Sequence, residues 1–386
     1  MNSAVVVDCC RTPIGHAHPE RGVYRDVRSD DLAVAVVKAL LQRTGIDPTE
    51  VEDVVMGNTQ QQREQGFNVA RIVSLIAGLP ASTGGATVNR LCGSSLQSLN
   101  QATHSILAGA EDVQIVGGLE HMGHIAMTSG VDFNPKLFQV TSKGAMHMGY
   151  TAEFLAQSHG LTREMQDQFA LASHQKAAAA TKAGSFEREI VPVAGRGADG
   201  LSQQVTVDQC IRPDTSAEAL AALRPAFMPG IGTVTAGNSS PLNDGAAALL
   251  VMSEDKAREL GLKPLVRIRA TAVAGVDPAV MGTGPVPATQ KALQRAGLSL
   301  GDIDLIELNE AFAAQSLACI RLLKADESKI NVRGGAIAIG HPLGASGARI
   351  ATTLIHAMLD SDATLGLATM CIGIGQGIAT IFERCS

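Results

Sequence analysis

The chain has 386 residues, of which 45% are hydrophobic and 18% are charged, a balance that excludes a disordered polypeptide and predicts a large buried core. Its formal net charge of −6 and its 3% aromatic content argue against a nucleic-acid-binding surface, which would be basic or rich in stacking side chains. The seven cysteines form no C-x-x-C motif. We therefore expect reduced thiols and a cytoplasmic protein.

Apolar runs and helix-like periodicities alternate along the chain. Several runs are continuously apolar, which is typical of strands that are buried on both faces in an α/β protein. Strands are predicted at residues 4–7, 54–56, 113–116, 247–252, 303–308, 365–370 and 378–382. Helices are predicted at residues 31–44, 96–108, 163–183, 290–296, 311–323 and 346–359.

Two windows, residues 91–110 and 363–382, carry no charged side chain and could imitate a membrane span. The first contains several polar side chains and the second contains several glycines. Both patterns favour elements that are buried inside a large protein. We therefore expect no transmembrane segment.

A weak internal repeat indicates that the α/β pattern occurs twice. Residues 41–46 (Leu-Gln-Arg-Thr-Gly-Ile) match residues 293–298 (Leu-Gln-Arg-Ala-Gly-Leu), and an apolar run follows each copy. We predict two similar halves, although chance similarity between helix–turn–strand segments is the alternative. The predicted boundaries are 1–119 with 246–256 for the first half, 120–245 for an inserted loop domain, and 257–386 for the second half.

Cys92 is the first candidate for chemistry. It lies in residues 89–95 (Asn-Arg-Leu-Cys-Gly-Ser-Ser), directly before a predicted helix. Free backbone N–H groups and the helix dipole at that position would stabilise a thiolate and lower the pKa of Cys92. The alternative is a buried structural cysteine that behaves as a small hydrophobe.

His341 is the second candidate. It stands between a glycine and a proline in residues 334–347, a segment without any charged side chain. A histidine there could act as a general base or donate to an oxyanion. The alternative is a core histidine whose ring is satisfied by a backbone carbonyl.

Two further segments complete the candidates. Cys371 precedes alternating glycines in residues 370–377, where the missing side chains would let a ligand or a second backbone approach closely. Asn309 stands at a predicted strand–helix junction, where it could hold a water molecule or donate to an oxyanion. The alternatives are a buried structural thiol for Cys371 and an ordinary helix cap for Asn309.

No metal site is predicted. His16 with His18, and His121 with His124, are short pairs that lack a second pair of ligands. No phosphate-binding P-loop is present. Residues 187 and 189 are glutamates, which we interpret as solvated charges.

Taken together, these segments resemble the thiolase family, and the resemblance extends from about Val5 to Phe382. The matching segments, in the order of the family, are residues 8–15, 89–95, 309–312, 340–347 and 371–377. The resemblance implies an α/β thiolase fold. In that fold two βαβαβαββ halves pack in a five-layer α-β-α-β-α sandwich, and a loop domain is inserted in the first half.

The resemblance also implies an activity, the thiolytic cleavage of 3-ketoacyl-CoA in fatty-acid beta-oxidation. Cys92 would attack the keto carbonyl with help from His341, and Cys371 would protonate the departing acetyl-CoA carbanion. The N–H groups of Cys92 and Gly373 would stabilise one developing negative charge. His341 and a water held by Asn309 would stabilise the other.

CoA and acyl-CoA would be substrates, and no cofactor is expected. The resemblance places CoA contacts at His147, Arg212 and Ser240 in the loop domain. Arg212 and Ser240 could equally be a solvated charge and a turn residue.

The resemblance leaves alternatives open. A short-chain acetyl-CoA acetyltransferase that makes acetoacetyl-CoA is the nearest one, and His147 favours it. A ketoacyl synthase is disfavoured by Cys371 with Gly373, and a non-catalytic CoA-binding scaffold is disfavoured by the intact set of candidates. A Rossmann oxidoreductase is excluded by the missing fingerprint.

The family forms homodimers or homotetramers, so we expect a homo-oligomer. Residues 64–68, 130–135 and 284–288 resemble members that partner a hydratase/dehydrogenase subunit in bacterial fatty-acid oxidation complexes. The resemblance therefore implies that such a subunit is a possible partner.

Overall fold

A computed structural model describes residues 3–385. Its strands are β1 (Ala4–Arg11), β2 (Gly15–His16), β3 (Asp53–Gly57), β4 (Ala86–Val88), β5 (Val113–His121), β6 (Val193–Arg196), β7 (Ser202–Val205), β8 (Asn243–Ser253), β9 (Val266–Gly275), β10 (Leu305–Leu308), β11 (Leu365–Ile372) and β12 (Gln376–Arg384). Its α-helices are α1 (Ser29–Thr44), α2 (Val69–Ala77), α3 (Ser94–Ala108), α4 (Met148–Ser158), α5 (Arg163–Lys182), α6 (Ala217–Ala221), α7 (Glu254–Glu259), α8 (Pro285–Ala296), α9 (Ala313–Leu323) and α10 (Ser346–Ser361).

Strand connectivity repeats between the two halves. The first half has the order β4-β3-β5-β8-β1 and the second has the order β10-β11-β12-β9. Ile330 pairs in parallel with Ile306 of β10, in the position that β4 holds beside β3. The halves join where β1 meets β9, through the pairs Val5–Arg267 and Val6–Val266.

Successive residues of β1 show why its sequence is continuously apolar. Val5 and Val7 belong to the core beneath α1 and α2, whereas Ala4 and Val6 belong to a second core. Side chains alternate between the two faces of a strand, so both faces of β1 are buried.

The helices form three layers around the strands. The second core packs α3 and α10 between the two halves, and a third core packs α8 and α9 on the outer face of the second half. The molecule therefore has five layers, with α1 and α2 outermost on one side and α8 and α9 outermost on the other.

The charge-free windows fall in α3 and in the β11–β12 hairpin. Residues 93–100 of the first window and residues 366–373 of the second are buried, whereas the end of α3 from Leu107 onward is exposed. Within residues 3–385, no helix is both long enough and apolar enough to cross a membrane. The interpretation of these windows as internal elements is confirmed.

One connection in the first half is expanded into the insertion. Between β5 and β8 the chain forms α4, α5, the β6–β7 hairpin and α6. The corresponding connection in the second half, between β11 and β12, consists of residues 373–375 alone.

Every predicted strand and helix has a counterpart in the structure. Nine shorter or less regular elements were not predicted: β2, β4, β6, β7, β9, α2, α4, α6 and α7. The run that forms β9 is interrupted by Arg267 and Arg269, which form ion pairs with Glu383 of β12 at 3.7 and 3.2 Å. These two charges conceal the apolar pattern of the strand, because Arg267 is half-buried and Arg269 is exposed.

The two glutamates interpreted as solvated differ in burial. Glu187 is exposed, but the interpretation is wrong for Glu189, which is fully buried. Its carboxylate accepts from Arg11 Nε at 2.6 Å and from Thr353 Oγ1 at 3.0 Å. Arg11 in turn donates to both oxygens of Asp208, at 2.7 and 2.9 Å. The partner of Glu189 is remote in sequence, so local spacing could not reveal it.

Candidate active site

Cys92 lies in the turn between β4 and α3, and this turn is held in an unusual backbone conformation. Leu91 has a φ of 47°, which is uncommon for a residue with a branched side chain. Its N–H donates to Asn89 Oδ1 at 2.8 Å, and its carbonyl accepts from Ser94 Oγ at 2.6 Å. A Cβ on Gly93 would lie 2.6 Å from Ile372 Cδ1, so the turn packs directly against the end of β11.

The thiol of Cys92 is protonated at rest. Burial raises its pKa to about 11, although hydrogen bonds from the N–H of Gly373 and from its own N–H oppose the rise. The negative charge of Glu120 raises it further. The expectation of a lowered pKa is therefore wrong, because desolvation of the thiolate outweighs the backbone donors.

His341 is buried in the loop before α10, where three contacts orient it. Its backbone N–H donates to Asn243 Oδ1 at 2.7 Å. Its Nδ1 lies 2.5 Å from Ser346 Oγ, and the hydroxyl of Ser346 donates to Pro342 O at 2.8 Å. Because the hydroxyl gives its one hydrogen to Pro342, it accepts from His341 Nδ1–H. This assigns the proton to Nδ1 and leaves the lone pair on Nε2.

The ring of His341 is neutral at physiological pH. Burial lowers its pKa to about 3, and the positive charge of Arg349 lowers it in the same direction. Asn309 Nδ2 lies 3.4 Å from Nε2. A neutral imidazole with an unprotonated Nε2 is the form that can accept a proton from a thiol.

Cys371 lies in β11, opposite Gly377 of β12, and is buried. It shares an apolar cluster with Ala311 and Phe312. Burial raises its pKa well above the ordinary value of a thiol, and the neighbouring Cys92 raises it further. Cys371 is therefore a thiol that can donate a proton at neutral pH, and its thiolate would be a strong base.

Asn309 and Gly373 lie on the segments that flank these side chains. Asn309 follows β10 and is not the helix cap, because Phe312 occupies that position before α9. Asn309 Oδ1 is buried and has no hydrogen-bond partner in the described part of the chain, so it can bind a water molecule. Gly373 begins the β11–β12 loop, where a Cβ would lie 3.2 Å from Leu91 Cδ1.

Two family models match the chain. The model described as thiolase, N-terminal domain, matches residues 4–255, and the model described as thiolase, C-terminal domain, matches residues 262–384. The chain belongs to the thiolase family. The expected thiolase fold is confirmed, since both halves of the family are present and arranged in five layers.

Full-length relatives and solved structures agree with this membership. The chain is 57% identical to the 3-ketoacyl-CoA thiolase of Idiomarina loihiensis and 56% identical to that of Aeromonas salmonicida, with 100% of each chain covered in both comparisons. It is 40% identical to the human mitochondrial 3-ketoacyl-CoA thiolase, with a TM-score of 0.91, and 39% identical to the acetyl-CoA acetyltransferase of Bacillus anthracis, with a TM-score of 0.90. Both structural comparisons cover 100% of this chain and 99% of the other.

A buried carboxylate that sequence reasoning missed holds two loops of this thiolase site together. Glu120 of β5 accepts from the N–H groups of Thr59 and Gly344, each at 2.9 Å. Thr59 Oγ1 donates to Leu91 O at 3.3 Å in the nucleophile turn, and Gly344 lies three residues after His341. A glutamate at the end of the uncharged run 113–119, four residues after the predicted strand 113–116, is the signal that would have found it.

Asn243 and Ser346, which orient His341, were also missed as functional residues. Ser346 lies in residues 340–347, one of the segments that carry the thiolase resemblance, and Asn243 is the first residue of β8. Their roles depend on which side-chain atom meets the ring, and the sequence does not contain that information.

The three residues expected to contact CoA lie in the insertion, apart from the side chains described above. His147 is exposed at the start of α4, and Arg212 is exposed in a loop. Ser240 is half-buried, and its hydroxyl donates to Ala311 O at 3.2 Å. This bond ties the insertion to the segment that carries Asn309.

A second polar cluster lies beside the site. His121 Nδ1 is 3.2 Å from Asp244 Oδ1. The same Nδ1 accepts the N–H of His124 at 3.0 Å, and Nε2 donates to Tyr24 O at 3.0 Å. Asp244 Oδ1 accepts the N–H of Gly123 at 2.9 Å, so both atoms of the close pair already have a backbone donor.

Burial raises the pKa of Asp244 to about 7, and it lowers the pKa of His121 to about 4. The carboxyl group of Asp244 is therefore protonated below neutral pH, and the ring of His121 is uncharged there. Among residues 3–385, no group of three or more His, Cys, Asp or Glu side chains is arranged to hold a metal ion.

Proposed function

We propose that this chain catalyses thiolytic cleavage of 3-ketoacyl-CoA by CoA, giving acetyl-CoA and a shortened acyl-CoA in fatty-acid beta-oxidation. The observation that carries the proposal is the pairing of two thiols with different surroundings. Cys92 has the N–H groups of its own residue and Gly373 at its sulfur, whereas Cys371 is enclosed in an apolar cluster. One thiol suits a covalent intermediate, and the other suits proton transfer.

In the first step, Cys92 Sγ attacks the keto carbonyl while its proton passes to His341 Nε2. The carbonyl oxygen becomes an oxyanion that accepts from the N–H groups of Cys92 and Gly373. This charge offsets the cost of protonating a histidine whose pKa is depressed. The neutral resting pair is thereby converted to an ion pair only when substrate is present.

In the second step, the C2–C3 bond breaks and its electrons form the enolate of acetyl-CoA. The enolate oxygen accepts from His341 Nε2–H and from a water held by Asn309 Oδ1. Cys371 gives its proton to C2, and acetyl-CoA leaves. The acyl group remains as a thioester on Cys92.

In the third step, the Cys371 thiolate takes the proton of the thiol of a second CoA. The resulting sulfur attacks the thioester on Cys92, and the Cys92 thiolate that leaves recovers its proton from His341. Every proton returns to its starting group. The reaction needs no cofactor, because CoA and acyl-CoA are substrates.

The test is intact-protein mass spectrometry after brief exposure to short and long 3-ketoacyl-CoA without free CoA. We expect one acyl adduct that is lost in Cys92→Ser and kept in Cys385→Ser, a control at a half-buried cysteine near the C-terminus. A folded protein that forms no adduct would contradict the proposal. Adduct formation with acetoacetyl-CoA alone would instead identify a short-chain acetyl-CoA acetyltransferase.

We further propose that the insertion, residues 120–245, binds CoA. Arg212 has an exposed guanidinium that suits a phosphate, His147 is exposed at the start of α4, and Ser240 bonds to the segment that carries Asn309. Arg212→Ala should raise the KM for CoA several-fold with little change in kcat. A lowered kcat with an unchanged KM would contradict the assignment.

The same proposal includes a cytoplasmic homo-oligomer. β4 is an edge strand, and near it Phe67 is 98% exposed with a φ of 54°. Unpaired strand edges and exposed large side chains favour association. Phe67→Asn should weaken the oligomer in sedimentation velocity, whereas Val140→Asn, at an 83% exposed position of the insertion, should not. A hydratase/dehydrogenase subunit remains the proposed second partner, and co-purification with it is the test.

A further inference from the structure

A single side chain, that of Asn331, holds the residues on both sides of Asn309. Asn331 Oδ1 accepts the N–H of Leu308 at 2.9 Å. Its Nδ2 group donates to Leu308 O at 2.9 Å and to Glu310 Oε1 at 2.7 Å. Both hydrogens and the oxygen of this buried amide are therefore in use. The residue before Asn309 and the residue after it are thereby tied to one point.

Asn331 makes these contacts from an uncommon backbone conformation. Its φ is 46°, in the left-handed region that is costly for most residues with a Cβ and that asparagine tolerates better. Its own N–H donates to Ile306 O at 2.9 Å, and its carbonyl accepts from the N–H of Gly334 at 2.9 Å. Such conformations persist where the surrounding contacts determine them. The position of the Asn331 amide is therefore fixed by the fold.

Glu310 is buried, and its carboxylate gathers the segment that leads to His341. Glu310 Oε2 accepts from the N–H of Ile337 at 3.1 Å and from the hydroxyl of Ser173 at 2.7 Å. Ser173 Oγ in turn accepts the N–H of Gly335 at 3.0 Å. A Cβ on Gly335 would lie 2.1 Å from the carboxyl carbon of Glu310, so the approach requires glycine. Glu310 therefore binds this segment at two points, once directly and once through Ser173 of α5.

Backbone hydrogen bonds carry this anchoring forward to His341. Residues 335–340 form overlapping turns, in which N–H groups donate to carbonyls three or four residues earlier at 2.9 to 3.1 Å. His341 follows directly, and its Nε2 lies 3.4 Å from Asn309 Nδ2. The carboxylate of Glu310 therefore joins the segment of Asn309 to the segment of His341.

The two sites that stabilise negative charge in the proposed mechanism thus have different supports. The first oxyanion meets the N–H groups of Cys92 and Gly373, which come from the nucleophile turn and the β11–β12 loop. The enolate meets His341 and the water of Asn309, and Glu310 holds both of their segments. Donors that are fixed in advance stabilise a developing charge most strongly, because they need no rearrangement during the reaction.

We propose that Glu310 is a positioning residue for the enolate site: its carboxylate sets the distance between Asn309 and His341. Asn331 and Ser173 hold the two oxygens of that carboxylate. The inference rests on the proposed function, because the enolate is an intermediate of that reaction. It predicts a loss that is specific to the step in which the carbon–carbon bond breaks.

Two reactions separate that step from the others. Thiolysis of 3-ketodecanoyl-CoA breaks the C2–C3 bond and passes through the enolate. Exchange of the octanoyl group between octanoyl-CoA and isotopically labelled CoA uses only the third step and its reverse. Exchange therefore needs Cys92, Cys371 and the proton carried by His341, but it forms no enolate. Mass spectrometry of the CoA esters measures both rates on the full-length protein.

Glu310→Gln keeps the size of the side chain but places an NH₂ group where both carboxylate oxygens face donors. We expect it to lower kcat for thiolysis about 10- to 100-fold, with little change in KM, and to slow exchange far less. Removing such a donor outright typically costs about 10²- to 10³-fold. Ser173→Ala removes one of the three donors and should show the same selectivity with a smaller loss.

Glu189→Gln is the matched control, because it alters another buried carboxylate, which bonds to Arg11 and Thr353. It should keep the parent ratio of thiolysis to exchange. Equal slowing of both reactions in Glu310→Gln, or slowing of neither, would overturn the proposal, since a general loss of structure affects both. If Glu310→Gln does not fold, the ratio in Ser173→Ala decides in the same way. A parent that exchanges octanoyl groups but cannot cleave 3-ketodecanoyl-CoA would instead contradict the proposed function.

Discussion

His341 Nδ1 lies 2.5 Å from Ser346 Oγ, and that hydroxyl donates to Pro342 O at 2.8 Å. His341 Nδ1–H donates to the Ser346 hydroxyl, and that hydroxyl donates to the carbonyl of Pro342, so both hydrogen bonds run in the same direction. They fix the tautomer of the histidine through a residue that is only five positions away. The free Nε2 is therefore determined locally, before any substrate binds.

Ser346→Ala should lower kcat about 10- to 100-fold, a smaller loss than removing an orienting carboxylate causes. The buried Nδ1–H loses its acceptor, so the other tautomer becomes populated and Nε2 is blocked by a proton. KM should change little. Ser98→Ala is the matched control, because it removes a buried hydroxyl that bonds to Gly117 O, away from His341. Steady-state kinetics on both variants provide the check.

Cys371→Ala should lower kcat for thiolysis about 10²- to 10⁴-fold, the usual range for loss of a general acid or base. The enolate then has no proton donor, and the second CoA has no base. Cys319→Ala removes a second buried thiol, which donates to Gly282 O, and should retain most activity. Full cleavage activity in Cys371→Ala would show that another group donates the proton.

Asp244→Asn should change how stability depends on pH. The pKa of Asp244 is raised to about 7 from 3.8, so the folded state holds a proton that the unfolded state has released. Stability from this group is therefore present at low pH and is lost as pH rises toward 7. Asparagine has no proton to lose. The melting temperature of Asp244→Asn minus that of the parent should become more positive from pH 5 to pH 8, and a constant difference would contradict the assignment.

Glu189→Ala and Glu187→Ala should differ sharply although the positions are two residues apart. Loss of Glu189 breaks a fully buried ion pair with Arg11, which typically costs about 3–5 kcal/mol of unfolding free energy. Loss of the exposed Glu187 should leave stability unchanged. Urea unfolding of the two variants measures the difference, and equal midpoints would show that the buried network contributes nothing.

The sequence predicted most of the elements because the strands are buried on both faces and produce continuous apolar runs. It also singled out His341 and Cys371 by their glycine-rich, charge-free segments, Cys92 by its place before a predicted helix, and Asn309 by its strand–helix junction. The β9 strand escaped detection because Arg267, which is half-buried, and Arg269, which is exposed, interrupt its apolar run.

The energetics of the site could not be predicted in the same way. The helix start near Cys92 indicated a lowered pKa for its thiol. Whether that pKa is raised or lowered depends on how much water the fold removes from around the sulfur. The burial of Glu189 depends on its contact with Arg11, which is remote in sequence. The role of Glu120 in joining two loops likewise depends on its contact with Gly344. Each of these properties arises from contacts between distant parts of the chain.

The two halves use the same topological position in opposite ways. In the first, the connection from β5 to β8 comprises residues 122–242, and in the second the connection from β11 to β12 comprises residues 373–375. The short connection has no spare space: Gly375 has a φ of 81°, and a Cβ there would lie 2.2 Å from Val276 O. Two equivalent junctions of one fold therefore differ in how much added chain they can accept. Diversification among related enzymes should accumulate in the long connection and leave the hairpin beside Cys371 unchanged.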